Sequence, residues 1–144
     1  MMRDQVNRLA DVQAIGPVVL SADNTPSAID LNGYNSATIF LSVGIGGITF
    51  STTNKVEFVL THSDDNSTYT NVTDADVLGV TGVTGGIIRS LTAAKAAADT
   101  SATEIGYIGG KRYLKLLADF SGTHGAGTPI SAIVVLGNSI YKPV

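Results

Sequence analysis

The sequence offers few residues that could carry out chemistry. Its two histidines are His62 and His124, each in a turn-like segment. Ser63, Asp64 and Asp65 adjoin His62, so a Ser–His–Asp set can be written down. Such a triad is defined by geometry rather than adjacency, and no G-x-S-x-G nucleophile elbow is present. The reading adopted is therefore a polar histidine in a turn. Two histidines this far apart do not supply the nitrogen ligands of a zinc centre, and cysteine is absent altogether. No catalytic residue, metal ligand or cofactor is expected.

The densest oxygen cluster is Asp64, Asp65 and Asn66, followed by Asp74 and Asp76. Calcium takes several oxygens from closely spaced Asp and Asn, but the glycine and terminal glutamate of an EF-hand loop are missing. Asp and Asn also close turns by bonding their own backbone, and this second role fits the cluster better. A pair of solvated aspartates lacks the burial that tunes a glycosidase acid. Gly44–Ile45–Gly46–Gly47, Gly82 to Gly86 and Gly109–Gly110 lack phosphate-loop spacing and read as turns and strand corners. Lys111, Arg112 and Lys115 cluster around Tyr113, a pattern that suits a charged strand edge resisting further pairing. Two glycosylation sequons, at Asn66 and Asn71, carry no weight without a secretory signal.

Composition narrows the classes further. The chain has 144 residues, 44% of them hydrophobic and 15% charged, the latter against a usual level of roughly 25%. A chain of this length can bury roughly two-thirds of its unfolded surface without a metal or disulfide. The net charge of −3 gives no basic field for nucleic acid or an anionic membrane. No apolar run reaches the roughly 20 residues of a membrane helix, and the polar N-terminus reads as neither signal nor anchor. Work done by surfaces fits this composition better than a reaction does.

The elements that would position these residues are strands. Ala37–Val43 alternates, with Ile39, Leu41 and Val43 on one face and Thr38, Phe40 and Ser42 on the other. Lys55–Thr61 places Val56, Phe58 and Leu60 together, and the turn after it leads into a strand over Thr68–Val72, predicting a hairpin. Lys111–Phe120 aligns Leu114, Leu116, Ala118 and Phe120. Ile130–Leu136 is nearly continuous in apolar residues, which predicts burial on both faces. The Ala-rich stretch Leu91–Asp99 predicts one short helical insertion, with Thr92 able to cap it. Residues 1–16 read as an N-terminal arm ending at Gly16–Pro17, and residues 17–144 as one domain. The expected class is all-β: an antiparallel β-sandwich of eight to ten strands, jelly-roll-like.

Two stretches carry a family resemblance. Val56 to Val72 contains Ser63–Asp64–Asp65–Asn66–Ser67–Thr68–Tyr69 and continues to Asp76–Val77–Leu78–Gly79. Ile105 to Leu116 contains Gly109–Gly110–Lys111–Arg112–Tyr113. Together they resemble small β-sandwich structural proteins of tailed bacteriophages. The resemblance spans Lys55 to Phe120 and implies a virion protein without catalytic residues that decorates or stabilises the capsid. It implies contact with the major capsid protein or other virion proteins, and self-association, with a trimer as the form suited to capsid symmetry. The alternatives are a head–tail or tail protein, or a carbohydrate-binding sandwich. The acidic turn also occurs in carbohydrate-binding sandwiches such as discoidin-like domains, although Tyr69 stands where those often have tryptophan. Arg3, Val6, Leu9, Val12, Ile140 and Tyr141 are the expected subunit or capsid contacts. Asp64, Asp65, Asn66 and Tyr69 are the alternative glycan or calcium surface.

Overall fold

The computed structural model describes residues 4–93 and 101–140. Ten strands form in chain order: β1 (Ala10–Leu20), β2 (Ile29–Asp30), β3 (Tyr34–Val43), β4 (Lys55–Ser63), β5 (Thr70–Asn71), β6 (Val77–Leu78), β7 (Ile87–Leu91), β8 (Thr103–Tyr107), β9 (Tyr113–Ser121) and β10 (Thr128–Ser139). They make two sheets. The first has the order β1-β10-β3-β8-β6; the second runs β2-β9-β4-β5, with β7 also on β4. Every pairing is antiparallel. Successive strands alternate between the sheets except at β4–β5, and β5 and β6 are two-residue additions.

The expected alternation holds where it was clearest. Ile39, Leu41 and Val43 of β3 face Val56, Phe58 and Leu60 of β4 and Leu114, Leu116 and Ala118 of β9 across one core, and all are buried. Ala37, Ala118 and Ala132 sit among these larger side chains, so that the two layers interleave. The β4–β5 hairpin forms through Thr61–Asn71 and His62–Thr70.

Three expectations are corrected. β10 is not buried on both faces. Ile130, Ala132, Val134 and Leu136 point inward, while Ile133 is exposed and Val135 half-buried on the outer side. This run is apolar on two faces with only one of them covered. Second, β1 begins at Ala10, inside the segment read as an arm, and continues through Gly16–Pro17. Register shifts between Gln13 and Ile15 and between Ile15 and Val18 add one residue each. The second bulge absorbs the proline, which has no N–H to give the ladder. Third, Leu91 closes β7 as strand, and no helix occurs among the described residues. The rest of the proposed helix, residues 94–99, lies outside them.

The loop from Gly44 to Asn54 folds onto the turn before β10. A Cβ on Gly47 would lie 2.3 Å from the carbonyl oxygen of Gly127, so only glycine allows the two backbones to meet. Segment 21–28 does something the sequence pattern does not reveal. The Asn24 side chain donates to Leu116 O and accepts from Ala118 N–H, and Asp23 accepts from Phe120 N–H. These side chains satisfy the stretch of β9 beyond the reach of the short β2.

Phe58 is fully buried between the sheets. Phe58→Ala should lower the unfolding free energy by about 3–5 kcal/mol in a urea titration. Leu78→Ser, on the exposed outer side of β6, should change it by less than about 1 kcal/mol.

Candidate functional site

His62 is not a turn residue. β4 runs on to Ser63, and its alternation carries His62 onto the inward face after Val56, Phe58 and Leu60, with 5% exposure. Its Nδ1 lies 2.9 Å from the Tyr107 hydroxyl on β8 of the other sheet. That hydroxyl accepts the Lys111 N–H at 3.0 Å, so its own proton is free to point at Nδ1. With the hydroxyl donating, the His62 imidazole carries its proton on Nε2. The rings meet edge-on, with centroids 5.8 Å apart. Burial lowers the His62 pKa, Lys111 adds to this, and Asp76 and Asp64 oppose it. Burial likewise raises the Tyr107 pKa. Ser63 donates to Asp65, at 2.8 Å, and not to His62, so the adjacent Ser, His and Asp do not form a relay.

The acidic turn is built by Asp65. Its Oδ1 accepts from Ser67 N–H and Thr68 N–H, both at 2.8 Å, and from the Ser63 hydroxyl. These bonds, the Thr68 amide foremost, hold its pKa at about 2. Asn66 takes a left-handed φ of 59° and accepts from the Tyr69 hydroxyl. The Lys115 ammonium sits 4.2 Å from the Tyr69 ring centroid. Asp74 accepts from Val83 N–H, and Asp76 from the Thr73 amide and hydroxyl. Each carboxylate thus serves its own loop, and no cluster of three metal-ligating side chains occurs among the described residues.

His124 lies at the other end of the sandwich. β9 starts opposite His62, with Leu114 as its register partner, and ends at Ser121 just before His124. The His124 ring is 2% exposed and packs edge-on to Phe120, at 4.7 Å. Its Nε2 donates to Ser121 O. The length of a strand separates the two histidines, so they cannot share an ion.

Asp64 stands apart from the rest of the acidic turn. It lines a cleft of about 380 Å³ at the end of the sandwich where β3 begins and β4 and β8 finish. The other walls come from Leu31–Ala37, from Tyr107 to Arg112, and from Ile140. They are held by Leu31 N–H to Arg112 O, Ile140 N–H to Gly33 O and the Tyr107–Lys111 contact. Arg112 grips Asp30 through two bonds of 2.9 and 2.8 Å. Sequence reasoning singled out Asp64 and Ile140 but assigned them to separate surfaces. Tyr107 is among the tyrosines the sequence offers for stacking on a sugar, but its inward position and its bond to His62 follow only once β8 is recognised.

Of the expected contact residues, Val6 and Leu9 are exposed ahead of β1, Val12 pairs with Val134 within it, and Ile140 borders the cleft. Arg3 and Tyr141 lie outside the described residues. Asp65, Asn66 and Tyr69 shape the β4–β5 turn rather than the cleft wall.

No protein-family model matches the chain, and no curated protein does. Among solved structures it is similar to the crystal structure of SPBc2 prophage-derived protein YomS. Identity is 9% and the TM-score 0.44, over 89% of this chain and 91% of that one. The likeness is too loose to transfer a role.

Burial keeps the folded His62 pKa below its free value of 6.5. The folded state therefore binds fewer protons than the unfolded chain in the window just below that value, and stability falls as the pH drops through it. Asp65, with a pKa of about 2, loses its contribution only at far lower pH. Urea unfolding at about pH 7 and about pH 5.5 should show this loss in the native protein, with a smaller difference in His62→Phe. An equal difference in both proteins would assign the effect elsewhere.

Proposed function

We propose that the protein is a non-enzymatic virion structural protein that decorates the phage head and stabilises it through protein–protein contacts. The observation that carries this reading is the uncovered outer face of the first sheet. Val19, Ile133 and Leu78 are exposed there, with Phe40 and Val135 half-buried beside them. Register places these residues on one side: Ile133 pairs with Phe40, Val135 with Thr38, and Val19 with Pro129. Asp11 and Glu104 are the charged residues on that side of the first sheet, so little desolvation opposes its burial. The sequence resemblance to phage β-sandwich proteins supports the same role. The strand order, β1-β10-β3-β8 over β2-β9-β4 with β7 on β4, is compatible with the jelly-roll form of this reading.

The partners in this proposal are the major capsid protein and further copies of this chain, and the location is the virion. A face that covers a joint between capsomers adds buried apolar area and resists their separation. Three copies around a symmetry axis would repeat the contact without strain.

Purified protein added to phage heads assembled without it should bind in saturable fashion and raise the temperature at which they open. Ile133→Asp with Leu78→Asp should weaken binding by about tenfold or more, equivalent to about 1.4 kcal/mol, while the circular dichroism spectrum stays unchanged. A monomer by light scattering that also fails to bind heads, or a double variant that binds as well as the native protein, would overturn the proposal.

A further inference from the structure

We propose that the cleft between the start of β3 and the ends of β4 and β8 binds a neutral saccharide. This site is separate from the outer face of the first sheet, and the proposal does not depend on the virion role. Its first support is the apolar rim. Ile108 and Ile140 are each 56% exposed, and both line the cleft together with the partly exposed Tyr34. Large aliphatic side chains left open beside a concave surface are suited to the C–H face of a sugar ring.

The second support is the polar lining. Asp64 has a carboxylate with no hydrogen-bond partner among the described residues, although it sits beside a turn in which Asp65 satisfies three donors. Asn35 adds an exposed amide that can donate and accept. A carboxylate and an amide facing one cleft match the alternating donors and acceptors of vicinal hydroxyls.

Charge decides between ligand classes. The lining carries one carboxylate, Asp64, against Lys111, whose ammonium donates to the Thr70 hydroxyl, and Arg112, which is already paired with Asp30, so these charges sum to zero and favour neither an anion nor a cation. Its volume of about 380 Å³ lies near the lower end of ligand pockets, roughly 300–1,000 Å³, which limits the occupant to one or two rings. The walls are also preformed. Ile140 is fixed to Gly33, Leu31 to Arg112 and Lys111 to Tyr107 by backbone donors, so binding would order little of the chain.

The test is a backbone amide NMR titration of the full chain with glucose, galactose, mannose and N-acetylglucosamine, run beside a glycan array. The expected result is saturable shifts at Asn35, Ile108, Lys111 and Ile140 with at least one sugar. Asp64→Asn and Ile108→Ser should each weaken binding about tenfold while amides remote from the cleft keep their positions. Silence in both assays would overturn the proposal, as would shifts confined to the outer face of the first sheet. Unchanged affinity in both variants would overturn it too. Head binding by the same protein would be unaffected by any of these outcomes, so failure here and failure of the structural role are separable.

Discussion

The first sheet depends on one strand that arrives late in the chain. β10 lies between β1 and β3 and pairs with both along most of its length. Ala10 meets Leu136, and Ala37 meets the same leucine from the other side. Without β10, β1 has no partner and β3 loses one edge. The inward residues of β10 also supply a large part of the surface on which the second sheet packs. Such pairing joins residues far apart in sequence, so loop-closure entropy must be overcome before the hydrophobic gain is realised, and folding is expected to be slow for a domain of this size.

The alternating strands at 37–43, 55–61 and 111–120 were legible because a period of two, with β-branched residues, leaves few other options. The limits of legibility are equally physical. The sequence places His62 in a turn because Ser63–Asp64–Asp65 follows it, although extending the alternation by two residues from Leu60 points it inward. The run Ile130–Leu136 carries apolar side chains on both faces, and hydropathy cannot tell a covered face from an uncovered one. β7 and β8 include Arg89 and Glu104 and stand beside glycines, so their alternation is short and broken. β5 and β6 have two residues each, below the length at which any pattern exists. The cleft was not legible at all. Tyr34, Asp64 and Lys111 are far apart in sequence, and the sheet order alone brings them together.

The surface divides its labour between faces and edges. Edges are largely closed to pairing. β1 carries two bulges and a proline, β2 is short, and the rest of β9 is occupied by Asp23 and Asn24. Faces are left open: an apolar one on the first sheet, and a neutral, mixed one at the cleft. Contact through faces preserves the sandwich, whereas contact through edges would extend it without limit.

The hydrogen bond between His62 and Tyr107 has one more consequence. Two greasy layers attract each other at many offsets of similar energy, because dispersion and apolar burial have little directional preference. A polar link between β4 and β8, at the inner wall of the cleft, favours one offset, and the Arg89 guanidinium donating to the Thr103 hydroxyl adds a second link between the sheets, from β7 to β8. The His62–Tyr107 bond behaves as a dowel between two sliding plates, and because it joins the sheets beside the cleft, the cleft's width is set by the same fastening.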